Sequence, residues 1–148
     1  MRLTTRSEYA LIAVIDLAVA ADEGPVSTRD IADRREIPLK FLEQIMHALR
    51  QEGIVTSIRG AHGGFVLSKD AREITVLDVV EAVEGPLTPT VCDAAKEGTS
   101  SGGCSKQSSC AAAHVWIKAS AALRDEFSSI TLDQLATNQK SFDVNVQP

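Results

Sequence analysis

The order of hydrophobic and polar positions in the first third of the chain predicts three helices. An apolar-rich run covers residues 5 to about 21 and ends before Asp22-Glu-Gly-Pro25. A short helix is predicted from residue 28 to about 34, because Ser27-x-x-Asp30 resembles a capping box. A third helix begins at Pro38 and ends at Gly53, and its apolar residues recur at spacings of three and four. The residues that share this apolar face are Leu39, Leu42, Ile45, Met46 and Leu49.

Two strands and a fourth helix are predicted next. Residues 54–59 and 65–68 read as strands, and the Gly60-Ala-His-Gly-Gly64 segment between them is a turn that requires positive backbone angles. A Thr-x-x-Asp box at Thr75 then opens a helix that ends at Gly85-Pro86. Its apolar face is formed by Val76, Val79, Val80 and Val83.

The second half of the chain contains one long predicted helix, from about residue 111 to 128. An apolar stripe with a/d-like spacing follows this helix and comprises Trp116, Ala119, Leu123 and Phe127. We expect a short helix from residue 131 to about 136. The tail beyond Asn138 is polar, so we expect it to be disordered.

Two short helices followed by a hairpin are the element order of a winged helix-turn-helix, here over residues 1–84. In that fold the polar face of the second helix enters the major groove of DNA, where Arg, Gln and Glu can read base edges. A basic side chain at the tip of the hairpin, the wing, can enter the minor groove. A solvated surface would explain one amphipathic helix, but the three features together favour DNA binding. The candidate DNA-binding residues are Thr28, Lys40, Glu43, Gln44, His47, Arg50, Arg59 and His62.

The net charge of −5 is unevenly distributed along the chain. Residues 1–72 hold ten Lys/Arg and ten Asp/Glu, whereas residues 73–148 hold five and ten. A neutral first part can still concentrate positive charge on one face, so the acidic total does not exclude nucleic acid. Glu8 and Asp16 interrupt what would otherwise pass for the apolar core of a signal peptide. No run approaches the ~20 apolar residues of a membrane span. We expect a cytoplasmic protein that does not bind membranes.

Three cysteines lie together in one polar, glycine-rich segment. Cys92, Cys104 and Cys110 are separated by gaps of eleven and five residues. A buried structural cysteine is usually surrounded by apolar residues, whereas clustered thiols on a loop suit soft metals or iron–sulfur clusters. The odd number also argues against a closed disulfide framework.

The chain resembles the IscR/NsrR group of bacterial winged-helix regulators, the Rrf-two family, over nearly its whole length. The resemblance rests on Met1-Arg-Leu-Thr-Thr-Arg-Ser-Glu-Tyr-Ala10, on Phe41-Leu-Glu-Gln-Ile-Met-His-Ala-Leu-Arg50, and above all on Arg59-Gly-Ala-His-Gly-Gly-Phe-Val-Leu67 followed by the cysteine loop. It implies a homodimer held by the long helix. It also implies an iron–sulfur cluster, either 2Fe–2S or 4Fe–4S, that is bound by the cysteines and controls binding to double-stranded operator DNA. Matching positions would read DNA through Lys40, Glu43, Gln44 and Arg59.

The expected fold class is mainly α with a small β-hairpin wing: a winged helix-turn-helix plus a long C-terminal dimerisation helix. The units are the DNA-binding domain (1–84), a cysteine-rich cluster-binding loop (85–110), the dimerisation helix with a short C-terminal helix (111–137) and a disordered tail (138–148).

The resemblance leaves the fourth cluster ligand open. One branch of the family uses a histidine three residues after the last cysteine, but that position is Ala113 here and the histidine follows at His114. One residue rotates a helical side chain by about 100°, so His114 can point away from a cluster. Another branch uses a carboxylate from the partner subunit at the position of Glu8, which could equally be a first-turn acid favoured by the helix dipole. Glu8 and His114 are nearly equal candidates for the fourth cluster ligand.

Other classes of function stay open at this point. The three cysteines and His114 could bind zinc, which takes four such ligands, or the thiols could sense by forming disulfides without any cluster. A redox carrier or enzyme is disfavoured, because the sequence has no CxxC motif, no nucleotide-binding loop and no second set of cysteines. We therefore expect a transcriptional regulator and not an enzyme.

Overall fold

The computed structural model describes residues 3–87 and 109–146, with the backbone alone for 143–146. This part of the chain is mainly helical with one two-stranded antiparallel hairpin, which confirms the expected fold class. The elements are α1 (Thr5–Val19), α2 (Thr28–Arg35), α3 (Leu39–Gln51), β1 (Val55–Ile58), β2 (Gly64–Leu67), α4 (Val76–Glu84), α5 (Ala111–Ser129) and α6 (Leu132–Val146).

Side-chain caps start α2 and α4 where the sequence predicted them. Thr75 Oγ1 accepts a hydrogen bond from Asp78 N at 3.2 Å, and the Asp78 carboxylate accepts one from Thr75 N at 2.8 Å. Ser27 Oγ accepts from Asp30 N at 3.1 Å and so caps α2. Each cap satisfies a backbone donor that the first turn of a helix leaves free, which fixes where the chain enters the helix.

The main core lies between α1, α3 and α4. The apolar face of α3 is buried as predicted, with Leu42 and Ile45 fully enclosed, and it packs against the alanine-rich side of α1. Burial of a leucine or isoleucine side chain stabilises the fold by about 1.5–3 kcal/mol. The small residues Ala10 and Ala13 let α1 approach closely, so α1 serves as the central support on which α3 rests.

The turn between α2 and α3 completes the helix-turn-helix. Glu36 ends α2 in the left-handed region at φ 53°, and its backbone N–H donates to Ala32 O. The following residue, Ile37, is buried in the main core and so anchors the turn to it. This arrangement sets the angle at which α3 leaves α2 and keeps its polar face outward.

The hairpin forms in the predicted place, with Val55 paired to Leu67 and Ile58 paired to Gly64. It is also joined to the segment before α2, because Val26 N donates to Phe65 O at 3.0 Å and Phe65 N donates to Val26 O at 2.8 Å. These two bonds hold the wing beside the helix-turn-helix.

The end of the chain differs from the sequence-based expectation. We predicted a short helix ending near residue 136 and a disordered tail over 138–148, but α6 continues to Val146. Leu132 and Ala136 are buried in the main core and bring α6 against α1. Once such contacts fix the first turns, each further residue extends the helix at low cost, even where the sequence is polar.

Among the described residues, no helix combines the length and the apolar character that a membrane crossing requires.

Candidate nucleic-acid interface and metal centre

The exposed side of α3 carries most of the predicted DNA-binding residues. The helix begins directly after Pro38 and presents its apolar side to the core, so the residues between the buried positions face outward. All of the polar residues proposed on this face are exposed: Lys40, Glu43, Gln44, His47 and Arg50. They form a continuous surface of cationic, carboxylate and amide groups, the side-chain types that read base edges in a major groove.

An open groove of about 580 Å³ runs between this face and the start of α1. Lys40, Gln44 and His47 line it from α3, and Arg6 lines it from the first turn of α1. The sequence pattern did not indicate that Arg6 lines this groove. The helical pattern of the opening segment indicates which residues face inward, but it does not show that the first turn of α1 lies beside α3.

The wing tip presents the two remaining basic candidates. Arg59 and His62 are both exposed, on either side of Gly60, whose φ of 124° favours glycine. Gly63 has no room for a side chain, because a β-carbon there would overlap the Ile58 carbonyl oxygen. The glycines therefore allow a tight tip, and the tip leaves Arg59 and His62 free to reach a ligand.

Thr28 lies at the first position of α2 and is half-buried. The position of α2 relative to α1 is fixed by Asp16, which is 1% exposed and pairs with two arginines of α2. Arg35 Nε donates to Asp16 Oδ1 at 2.9 Å, and Arg34 Nη1 lies 3.5 Å from Asp16 Oδ2. This ion pair links the first helix of the helix-turn-helix to the supporting helix.

Only one of the three predicted cysteine ligands lies in the described part of the chain. Cys92 and Cys104 fall outside the described residues. Cys110 is a free, half-buried thiol at the N-cap of α5, where its side chain makes no capping hydrogen bond. The described residues alone bring together no group of three or more potential metal ligands. Cys110 therefore has a sulfur available for ligation, and any cluster site must be completed by residues beyond the described ranges or by a second chain.

The two candidates for the fourth ligand occupy different places. His114 is exposed on the first turn of α5, whereas the neighbouring Ala113 is fully buried. Glu8 is exposed on the first turn of α1 and has no ion-pair or hydrogen-bond partner for its carboxylate within the described ranges. The structure does not bring Glu8, His114 and Cys110 into one group within a single chain.

The apolar stripe of α5 divides into two parts. Leu123 and Phe127 pack against Val76 and Val80 of α4, within the same chain. Arg124 Nη1 donates to Glu81 Oε1 at 2.6 Å and strengthens this attachment. Further toward the start of the helix, Trp116 and Val115 are 50% and 62% exposed. The first half of α5 thus carries an apolar surface that the described part of one chain does not cover.

The helix-turn-helix, the outward polar face of α3 and the basic wing tip define a winged-helix DNA-binding regulator. Over residues 3–138 the chain matches the family described as "Rrf2: Iron-dependent Transcriptional regulator", and it belongs to this family.

Similar proteins agree with this assignment. The HTH-type transcriptional regulator IscR of Photorhabdus laumondii is 39% identical over 144 residues, which cover 97% of this chain and 84% of the relative. The solved structure of CymR, described as the global cysteine regulator of B. subtilis, superposes with a TM-score of 0.74 at 33% identity and covers 93% of this chain and 98% of that one. IscR of T. potens gives a TM-score of 0.74 at 30% identity, with coverages of 94% and 88%. Both the family and the IscR of Photorhabdus laumondii are described as transcriptional regulators, and this chain is accordingly a transcriptional regulator and not an enzyme.

Proposed function

We propose that this chain acts as a homodimer whose affinity for operator DNA is controlled by an iron–sulfur cluster. Cys92, Cys104 and Cys110 would provide three thiolate ligands, and Glu8 or His114 the fourth. The observation that supports DNA reading most directly is the exposed polar face of α3, together with the exposed Arg59 of the wing. The cluster part of the proposal rests on the three cysteines in family order, and on the free sulfur of Cys110 at the start of α5.

In the proposed complex, α3 lies in the major groove with Glu43 and Gln44 toward base edges. Lys40, His47 and Arg50 flank them and face the phosphate backbone, while Thr28 approaches it from the start of α2. Arg59 and His62 reach the neighbouring minor groove from the wing tip. Phosphate contacts set the register of the protein on DNA, and base contacts give the specificity.

The proposed dimer is held by the first half of α5. Val115 and Trp116 leave apolar surface exposed on the first half of this helix, and two copies of such a surface can cover each other about a two-fold axis. A two-fold dimer would present two copies of α3 to two half-sites of an operator.

The donor chemistry fits the proposed cluster. Iron–sulfur clusters are usually held by four thiolates. An oxygen or nitrogen ligand in place of one thiolate would form a weaker bond and would leave that iron more reactive. A cluster bound in this way supplies a charged, oxidant-sensitive centre at the start of α5. The protein's own contribution is positional, because Cys110 joins the cysteine loop directly to the proposed dimer helix. The signals that fit this chemistry are iron–sulfur status, nitric oxide and redox stress.

The direct test is purification of the full-length protein without oxygen. We expect a brown protein with visible absorbance, and with iron and acid-labile sulfide in equal amounts. Each of the variants Cys92→Ala, Cys104→Ala and Cys110→Ala should lose most of this chromophore, because a site with three thiolates has no spare sulfur. Normal iron and sulfide contents in all three variants would contradict the proposed ligand set.

DNA reading by α3 is tested with a duplex that the wild-type protein selects from a random-sequence library. Gln44→Ala should weaken binding to that duplex by about 1–3 kcal/mol and relax the preference at one base position. Asn138→Ala is the control, since it removes an exposed amide side chain from α6, outside the groove of α3, and should leave the preference unchanged. Equal weakening on selected and random duplexes by Gln44→Ala would show that α3 is placed wrongly.

A second candidate function is a regulator that senses through its thiols or binds zinc, without a cluster. It is favoured by the similarity to CymR, described as a global cysteine regulator, and by the half-buried free thiol of Cys110. Zinc would use the three cysteines and His114 and would be colourless. A colourless anaerobic protein that contains one zinc per chain, or that forms a disulfide reversibly with loss of DNA binding, would establish this candidate instead.

A further inference from the structure

Arg6 lies on the first turn of α1, where its side chain faces the groove beside α3. It lines the groove beside Lys40, Gln44 and His47, and its Nε atom is buried without a hydrogen-bond partner. Its side chain forms no ion pair or hydrogen bond with any described residue, although Glu43 lines the same groove. A buried N–H donor without an acceptor costs roughly 1–3 kcal/mol in a folded protein.

The backbone that carries Arg6 is held firmly. Thr4 Oγ1 accepts a hydrogen bond from Arg6 N at 3.2 Å and donates one to the Glu84 carboxylate. Ser7 Oγ donates to Thr4 O at 2.8 Å and accepts from Thr4 N at 3.2 Å. The start of α1 is thus capped and also attached to the end of α4. Arg6 therefore keeps its place next to α3 before any ligand binds.

The surroundings of Arg6 favour an anion as its missing partner. Two cationic or protonatable side chains, Lys40 and His47, line the groove with it, and Glu43 is the carboxylate among the lining residues. When α3 lies in a major groove, a groove along the side of α3 lies over the sugar–phosphate backbone. A phosphate oxygen is an anionic acceptor that the guanidinium binds through charge-assisted hydrogen bonds.

We propose that Arg6 is a phosphate-binding residue of the DNA interface, donating from its guanidinium to the operator backbone beside α3. This inference rests on the proposed docking of α3 and extends it to α1, which the proposed set of DNA-binding residues does not include. The guanidinium of Arg6 forms no ion pair or hydrogen bond with any described residue, so its contact with a phosphate breaks no internal bond.

The test compares Arg6→Ala with the wild-type full-length protein by fluorescence anisotropy at several salt concentrations. The probes are the library-selected duplex and a random duplex of equal length. We expect Arg6→Ala to weaken binding to both duplexes by a similar factor, about tenfold. The slope of log K against log salt should become shallower by about two, one for each subunit of the proposed dimer. Arg6→Lys, which keeps the charge, should restore most of the slope.

Lys140→Ala is the charge-matched control, because it removes an exposed cation from α6 and should change neither slope nor affinity. The thermal midpoint of Arg6→Ala without DNA should not fall below that of the wild type, since no internal ion pair or hydrogen bond is lost. The inference is overturned by an unchanged salt slope, by a loss confined to the selected duplex, or by a lowered thermal midpoint. Gln44→Ala separates the two proposals: if it relaxes specificity while Arg6→Ala has no effect, the docking of α3 stands and the role of Arg6 does not.

Discussion

Asp16 illustrates how a single residue fixes the orientation of the DNA-binding unit. Its carboxylate is buried in α1, while its partners Arg34 and Arg35 are 51% and 29% exposed. Taking a charge out of water is costly unless that charge is paired. Loss of an arginine therefore leaves a buried charge without its full pairing, whereas loss of Asp16 leaves two charges that water can reach.

We predict that Arg35→Ala destabilises the protein more than Asp16→Ala. Arg35→Ala leaves a buried carboxylate with only the longer contact to Arg34, and should cost about 3 kcal/mol of unfolding free energy. Asp16→Ala frees two arginines that can reach water, and should cost about 1–2 kcal/mol. Urea unfolding of the metal-free protein measures both values. The opposite order would mean that the Asp16 carboxylate gains solvent or another partner when Arg35 is lost.

Gly64 is the second residue whose identity is set by its surroundings. A β-carbon at Gly64 would overlap the Val26 carbonyl oxygen and lie 2.5 Å from its carbonyl carbon. Those atoms belong to the bridge that joins Val26 to Phe65 and holds the wing.

We expect Gly64→Ala to break the Val26–Phe65 bridge and to destabilise the protein by about 2 kcal/mol, within the range for lost buried hydrogen bonds. Gly53→Ala is the matched control: it has open space around it but a φ of 72°, so it should cost about 1 kcal/mol. Amide hydrogen exchange at Phe65 should accelerate in Gly64→Ala alone. Equal exchange rates in the two variants would show that the wing tolerates the added methyl group.

At the scale of elements, local signals predicted most of the fold. The caps at Thr75 and Ser27, the glycine turn of the wing and the spacing of Leu42, Ile45 and Leu49 each act within a few residues, so the sequence reveals them. The extent of α6 was missed because its polar second half depends on the packing of Leu132 and Ala136 against α1.

In the candidate site, too, some features follow from the local sequence and others depend on tertiary contacts. The exposed residues of α3 and the wing follow from helical spacing and from hairpin position, and the structure places them on the surface as expected. Arg6 could not be predicted, because its relevance arises from a tertiary contact between α1 and α3. The division of the α5 stripe also depends on tertiary structure: α4 covers Leu123 and Phe127 but does not extend as far as Trp116.

The exposed half of α5 gives a prediction about dimerisation. Trp116 is the only tryptophan of the chain, so its fluorescence reports on this surface alone. In a dimer formed through α5, dilution should shift its emission to longer wavelength as the indole becomes exposed to water. Trp116→Glu should give a monomer by light scattering, because a charge in an apolar interface is costly. Glu126→Gln, at an exposed position later on α5, is the control and should stay dimeric. A dimeric Trp116→Glu variant would place the interface elsewhere.

At the scale of the whole molecule, the question is how the proposed cluster next to Cys110 would affect α3. Cys110 begins α5, and α5 is attached to α4 through Arg124 and Glu81. The end of α4 holds the start of α1 through the Glu84–Thr4 hydrogen bond, and the first turn of α1 borders the groove of α3. A continuous set of contacts thus leads from Cys110 to the proposed DNA-binding face of α3. Glu8 lies on that same first turn of α1, two residues after Arg6.

This geometry makes the fourth ligand decisive for regulation. If Glu8 of one subunit completes the cluster site of the other, cluster loss removes a link between the subunits at the first turn of α1, directly beside α3. A ligand shifts such an equilibrium only by its different affinity for the two arrangements, and typical coupling energies are about 1–3 kcal/mol. We therefore expect operator affinities of the cluster-bound and cluster-free proteins to differ by about that amount. Glu8→Ala should reduce both cluster stability and this difference, measured by loss of visible absorbance and by anisotropy, whereas His114→Ala should leave both nearly unchanged. The reverse pattern would assign the fourth ligand to His114. Equal operator affinities of the cluster-bound and cluster-free proteins would instead mean that the cluster is structural, because a regulatory cluster must change the affinity for DNA.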